Sequence, residues 1–246
     1  MSAYGSIAAF YDRINSGVDY EKWAAYIIKH FERSGRRVSD VLELACGTGT
    51  LSIILSEAGY DITAVDISED MLSAARSKLQ PGAGNPMFLL QDISRLDLYG
   101  TVDAAICCLD SVNYVTDASK LLRAFKRVNL FLNPGGIFIF DVNTIQKYMN
   151  INGMCFTSES DGLFCVWNVA YSPKTRACGY DIDVFAKEAD AWSRCSERHR
   201  QRAYETDELS DMLKEAGFVD VRQYGELSFR RPGDGENRVF FTARKR

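Results

Sequence analysis

The chain has 246 residues, 46% of them apolar, and a formal charge of −4. That length and apolar content suit one large α/β domain, with or without an inserted cap, more readily than two independent domains. The weak acidic balance supplies no field to draw in nucleic acid or an anionic membrane, so a small molecule is the expected partner, with no nucleic acid and no membrane.

In chain order, the opening "MSAYGSIAAFYDRINSG" lacks a basic start followed by a long apolar core, and no apolar run approaches about 18 residues. A soluble, cytoplasmic protein is expected. Residues 19–34 carry Trp23, Tyr26, Ile27 and Phe31 at helical spacing. "VSDVLELA" then reads as a strand, 50–58 as a helix and "DITAVDI" as a strand. "SEDMLSAARSKL" reads as a helix, with Ser68 at its start and acidic residues in its first turn. "PMFLLQDI" and "VDAAICCLD" are a third and a fourth strand. A helix over 117–132 stops at Asn133-Pro134-Gly135-Gly136, and "IFIFDV" is a fifth strand. Short apolar strands alternating with helices imply a parallel sheet covered on both faces, whose ligands bind beyond the strands' carboxyl ends where strand order reverses.

From about residue 151 the period changes to two. "GLFCVWNVAYS", "ACGYDIDVFAKE" and "AWSRCSERHRQRAY" read as an antiparallel meander. "TDELSDMLKEAGF" returns to helical spacing, and "VDVRQYGEL" with "RVFFTARK" forms a terminal strand pair. The expected division is residues 1–150 with 204–246 as one α/β domain, and 151–203 as an insertion serving as cap or dimer interface.

Seven cysteines in no paired or zinc-type spacing suggest reduced, mostly packed thiols, and two histidines make a histidine-built metal site improbable; no metal is expected. Gly47 and Gly49 just past the first strand let the backbone turn tightly and approach a ligand. A pyrophosphate would call for GxGxxG, but the third position is Ser52, and Glu43 puts a carboxylate where phosphates would sit. A ligand carrying positive charge suits that site better.

"VLELACGTG" resembles the first motif of class I S-adenosylmethionine-dependent methyltransferases, an acidic residue followed by GxGxG, with Ala45 at the first glycine position. The resemblance implies a Rossmann-like, doubly wound seven-stranded sheet, mostly parallel with an antiparallel last strand, here carrying the inserted antiparallel meander. It further implies S-adenosylmethionine as cofactor, bound by Glu43 and the turn residues Ala45, Cys46, Gly47 and Gly49. Asp66 stands seventeen residues after Gly49, close to the roughly 20-residue spacing of a ribose-binding acid. By resemblance Asp66 holds the ribose, Ile67 and Met71 lie near the adenine, and Asp92 and Ile93 contact its amino group and ring. Leu109 and Asp110 lie beside the methionine part. "YGSIAAFYDRI" resembles the N-terminal segment of small-molecule members, similar to sugar N-methyltransferases, in which a Tyr-Asp pair precedes the core and the tyrosine covers the cofactor; Tyr11 is the candidate and Tyr4 the second.

Such a cofactor carries its own activation, so the protein's task is to align a nitrogen or oxygen nucleophile and exclude water. Asp110, Asn113, Tyr114, Asn143 and Tyr148 are candidates to touch the acceptor. His199 is a candidate base. Asp110, Tyr11 and His199 are the expected catalytic set. Strand alternation puts His199 and Gln201 on one face and Arg198, Arg200 and Arg202 on the other. Methylation of a protein or RNA, and a non-catalytic cofactor-binding module, remain the other readings.

Overall fold

A computed structural model describes residues 7–81 and 84–246; Tyr4 lies outside the described residues. After a 3-10 turn over Ala8–Phe10 come the short helix α1 (Tyr11–Ile14) and α2 (Tyr20–Glu32). The Asp19 side chain accepts a hydrogen bond from the Lys22 amide at 3.0 Å, which starts α2, and the helix buries Trp23, Tyr26, Ile27 and Phe31, as their spacing requires. The alternating part follows as β1 (Asp40–Leu44), α3 (Thr50–Glu57), β2 (Asp61–Asp66), α4 (Glu69–Ser77), β3 (Met87–Leu90) and β4 (Val102–Cys107). It continues through α5 (Ser111–Tyr114), α6 (Ala118–Phe131) and β5 (Leu132–Asn143). Ser68 caps α4 by accepting from the Met71 amide, and Asp117 caps α6 by accepting from Ser119 and Lys120.

Helix α7 (Ile145–Ile151) leads into β6 (Cys155–Ser160), β7 (Leu163–Ser172), β8 (Ala177–Glu188) and β9 (Ala191–Arg202). The chain then returns through α8 (Thr206–Glu215) to β10 (Phe218–Gly225) and β11 (Arg238–Lys245). The large sheet has seven strands in the order β10-β11-β5-β4-β1-β2-β3. Strands β1 to β5 pair in parallel, and β11 runs antiparallel to both neighbours. Strand order reverses between β1 and β4, so a crevice is expected above their carboxyl ends.

Two apolar layers cover this sheet. Trp23, Ile27, Leu51, Leu55 and Ala75 pack on one face with Val41, Ile106 and Phe240; Leu121, Phe125, Val128, Leu209 and Leu213 pack on the other with Leu42, Phe138 and Phe140. Burying each large side chain contributes about 1.5–3 kcal/mol, which explains why both faces read as continuous apolar runs. Phe140 and Phe241 stack across the β5–β11 pair with ring centroids 4.9 Å apart.

The second sheet, β6-β7-β8-β9, is antiparallel throughout. It has four strands where the sequence suggested three. Strand β6, "CFTSES", is almost wholly exposed and shows no apolar alternation, as an edge strand can. Strand β5 is longer than "IFIFDV": it runs back to Leu132, which pairs with Val102, and residues 133–136 form an unpaired irregularity before Ile137 pairs with Ala104. The inner face of the meander packs Leu163, Cys165, Ile182 and Val184 against Ile7, Phe10 and Ile14. The N-terminal segment is therefore held between the meander and the large sheet.

Candidate active site

The turn from β1 to α3 is built by three left-handed residues, Ala45 (φ 52°), Gly47 (φ 56°) and Gly49 (φ 69°). A Cβ on Gly49 would stand 2.7 Å from the Phe88 ring, so this position is closed by sterics as well as by φ. At Gly47 a Cβ would meet nothing within 4 Å, and the bare backbone faces open space. Glu43, only 3% exposed, lies beneath the turn and accepts a hydrogen bond from the Ser52 hydroxyl. Ser52, whose presence breaks the dinucleotide pattern, is the residue that satisfies Glu43. Burial pushes the Glu43 pKa up to about 8, outweighing the lowering by Ser52. The group is therefore a protonated acid at neutral pH in this closed state, not the standing negative charge that the sequence suggested.

At the end of β2, Asp66 accepts from the Gly47 amide at 2.8 Å and from the Ser68 amide at 2.9 Å, tying the glycine turn to the start of α4. The next residue, Ile67, is 65% exposed, an apolar side chain in water beside a buried carboxylate. Met71 is buried on α4, against which the 8–10 turn packs. Beyond β3, Asp92 caps a 3-10 turn by accepting from Ser94 at 2.8 Å, and Ile93 packs on the core. Beyond β4, Leu109 and Asp110 are both left-handed (φ 58° and 52°). Four strand ends thus bring Glu43, the turn Ala45–Gly49, Asp66, Asp92 and Asp110 to one edge of the sheet.

Tyr11, Tyr20, Glu43, Ala45, Cys46, Gly47, Leu109 and Ser111 are among the residues lining a cavity of about 30 Å³ over the turn. The N-terminal segment is fastened there by Asp12, which accepts from the Thr48 hydroxyl at 2.5 Å and pairs with Lys78 at 2.7 Å. Burial pushes the Tyr11 phenol well above its ordinary pKa, and Tyr20, Tyr114, Asp110 and Asp66 lie close enough to add to the rise. Tyr11 is therefore a neutral phenol covering the crevice. A larger cleft of about 380 Å³ is lined by Asn15, Val18, Tyr20, Thr50, Ile53 and Lys78.

On the meander side the expected acceptor contacts divide. Asp110 spends one carboxylate oxygen on Arg238 (2.9 Å) and the other on Gln201 (2.7 Å). Arg238 also pairs with the fully buried Asp141, whose pKa burial pushes up to about 6 against the pull of Arg238. Asp110 is thus not a free base but part of a clamp between β4, β11 and β9. Asn113 is fully buried: its amide nitrogen donates to the Asn143 and Arg202 carbonyls, and its oxygen accepts from the Asn143 amide. Tyr148 is buried and donates to Gln201. These side chains brace the site rather than open into it, because each polar atom already has its partner. His199 is 2% exposed, with Nδ1 3.2 Å from the Tyr114 hydroxyl and Nε2 2.9 Å from Glu197. Arg198 and Arg200 stand on the opposite, exposed face, as alternation requires.

Sequence reasoning missed Glu197 and Arg238, and gave no role of its own to Asp12, the acid of the Tyr-Asp pair. Glu197 was within reach, because the alternation that pairs His199 with Gln201 puts residue 197 on the same face. Arg238 carries no local signal.

A Rossmann-like sheet in this order, with an acidic side chain under a glycine turn and another at the end of β2, defines a nucleoside-binding crevice of the class I methyltransferase type. A family model described as a methyltransferase domain matches residues 41–136. The Bacillus subtilis (strain 168) protein named "Putative methyltransferase YqeM" is 32% identical over 245 residues, spanning 98% of this chain and 97% of its own. The crystal structure of an S-adenosylmethionine-dependent methyltransferase from Clostridium acetobutylicum ATCC 824 aligns over 98% of both chains with a TM-score of 0.88 and 31% identity. The sugar N-methyltransferase KedS8 from Streptoalloteichus sp ATCC 53650 shares the fold at 21% identity, with a TM-score of 0.82 over all of this chain and 95% of its own. The chain belongs to the class I S-adenosylmethionine-dependent methyltransferases, and S-adenosylmethionine is its cofactor.

Proposed function

We propose that the protein methylates a nitrogen or oxygen nucleophile of a small molecule inside the chamber between the sheet's carboxyl edge and the meander, residues 151–203 acting as a cap on the domain formed by 1–150 and 204–246. The observation that carries this reading is the enclosure: the N-terminal segment packs on the meander's inner face and closes over the glycine turn. A macromolecular acceptor would need an open trough there. The sugar N-methyltransferase KedS8 shares this fold, in keeping with a small acceptor.

The residues present fit the cofactor. Gly47 offers bare backbone to open space, and the exposed Ile67 provides an apolar surface for a base to cover. Asp66 holds the ribose hydroxyls with the lone pairs left over from its two backbone bonds. Asp92 and Ile93 border the adenine, with Met71 beneath, while Leu109, Ala45, Cys46 and Gly49 shape the walls. Asp110, Asp141 and Arg238 together carry one net negative charge beside the crevice, and Tyr11 turns a neutral phenol toward it; both favour a cationic ligand. When bound, S-adenosylmethionine supplies an electrophilic methyl group and a neutral thioether leaving group. The chain's own work is to align the acceptor and exclude water, which the closed segment and cap do; alignment of this kind is worth up to about 7–11 kcal/mol. His199 stands behind the acceptor space as the candidate base.

The test is transfer from methyl-labelled S-adenosylmethionine into a cell extract separated by size. Label is expected in the small-molecule fraction. Label confined to protein or RNA contradicts the reading.

A further inference from the structure

We infer that Glu197, His199 and Tyr114 form a proton relay, in which Tyr114 is the group that meets the acceptor and Glu197 is a positioning residue. The inference rests on the small-molecule reading above and deepens it: the acceptor is a nucleophile with a proton to lose. Strand β9 turns Glu197 and His199 to the same inner face, two residues apart, and α5 brings Tyr114 from the end of β4. His199 Nε2 lies 2.9 Å from Glu197 Oε2 and Nδ1 lies 3.2 Å from the Tyr114 hydroxyl; the two rings meet edge to face at 5.8 Å.

The carboxylate fixes the tautomer. Glu197 can only accept, so Nε2 carries the proton and Nδ1 is left to accept from Tyr114. Tyr114 stands on α5, whose first residue Ser111 lines the cavity together with Tyr11, and it adds to the rise in the Tyr11 pKa, which puts the two phenols on the same side of the crevice. The chain of donors therefore runs from the meander into the crevice. As the acceptor nitrogen or oxygen is methylated, its proton passes to the Tyr114 oxygen while the Tyr114 proton passes to Nδ1. Atoms and charge balance: the acceptor loses H⁺, the imidazole gains it, and Glu197 offsets the imidazolium. This is the nucleophile–base–orienter logic with a phenol inserted between acceptor and base.

The relay also senses closure. The other oxygen of Glu197 accepts from the Ile7 amide at 3.1 Å, so the docked N-terminal segment helps to hold the carboxylate in place. Among the described residues, the titratable groups around the imidazole are Glu197 on its own strand, Tyr180 opposite on β8, Tyr114 from α5, Tyr11 beyond it, and Asp110 through Gln201.

The chain has two histidines, so ¹⁵N-histidine NMR of the full-length protein with S-adenosylhomocysteine reads His199 directly, with His199→Gln identifying its signals. Expected are, for the neutral imidazole, a protonated Nε2 and an Nδ1 whose resonance shifts in Tyr114→Phe, with a tautomer preference that weakens in Glu197→Gln, whose amide can donate as well as accept. With labelled cofactor and the small-molecule extract fraction as probe, both variants should lose at least tenfold in maximal rate. S-adenosylhomocysteine affinity should hold within twofold in both, so that the loss falls on turnover and not on cofactor binding. A neutral imidazole protonated on Nδ1, or a tautomer and a maximal rate unmoved by both substitutions, overturns the relay. Absence of transfer by the wild type overturns the small-molecule reading instead, and the NMR result still decides whether the relay exists.

Discussion

Glu43 is held protonated by burial, and the sign of its effect on stability follows. Its folded pKa, about 8, stands above the ordinary carboxyl value, so between those two values the unfolded chain releases a proton that the folded chain keeps. The contribution is complete at low pH and is lost as pH rises through about 8. Glu43→Gln, a neutral isostere that Ser52 can still reach, should flatten this decline when denaturant unfolding is compared at about pH 5 and pH 8.5. An unchanged slope would mean that Glu43 is ionised in the fold. Ala45 presents a second residue-scale case. Its φ of 52° is costly for a side chain bearing a Cβ, by about 1–2 kcal/mol, and glycine would lose about 0.5–1 kcal/mol to chain entropy in exchange. Ala45→Gly should therefore raise stability slightly, by about 0.5–1 kcal/mol, with cofactor affinity preserved; a fall in melting temperature would show that the methyl group packs favourably.

The N-terminal segment is the element on which access depends. It is pinned to the glycine turn by Asp12 through Thr48 and Lys78, and to the meander by Ile7, Phe10 and Ile14. The cavity of about 30 Å³ beneath it is far smaller than a nucleoside, so cofactor exchange requires the segment to lift. Asp12→Asn should speed dissociation of S-adenosylhomocysteine several-fold in stopped-flow displacement, while unfolding stability changes little because the Lys78 pair is exposed to solvent. An unchanged off-rate would place the gate elsewhere. What could be read in the sequence follows the same division. The glycine turn, Asp66 and Asp92 are local signals, each set by a strand end and its next few residues. Strand β6 offered none, since an exposed edge strand need not alternate. The bracing bonds of Asp110 and Asn113 could not be read locally because their partners are remote: Arg238 lies 128 residues beyond Asp110 and Arg202 lies 89 beyond Asn113.

Across the whole molecule, the parallel sheet brings its acidic strand ends to one edge, and the N-terminal segment, packed on the meander's inner face, closes over that edge. The sheet's order was legible because strands buried on both faces must be apolar and must be separated by helices. The clamp of Asp110, Arg238, Asp141 and Gln201 that joins sheet to meander was not, because it exists only once four distant segments have folded together. The central claim is that this edge holds S-adenosylmethionine with Asp66 on its ribose, and titration calorimetry with S-adenosylhomocysteine tests it most directly. Binding to the wild type is expected, and a folded Asp66→Ala variant should bind at least about tenfold more weakly, a loss of roughly 1.4 kcal/mol or more as hydrogen bonds to a charged group disappear. No heat of binding to the folded wild type at millimolar ligand, or equal affinity in the folded variant, would contradict it.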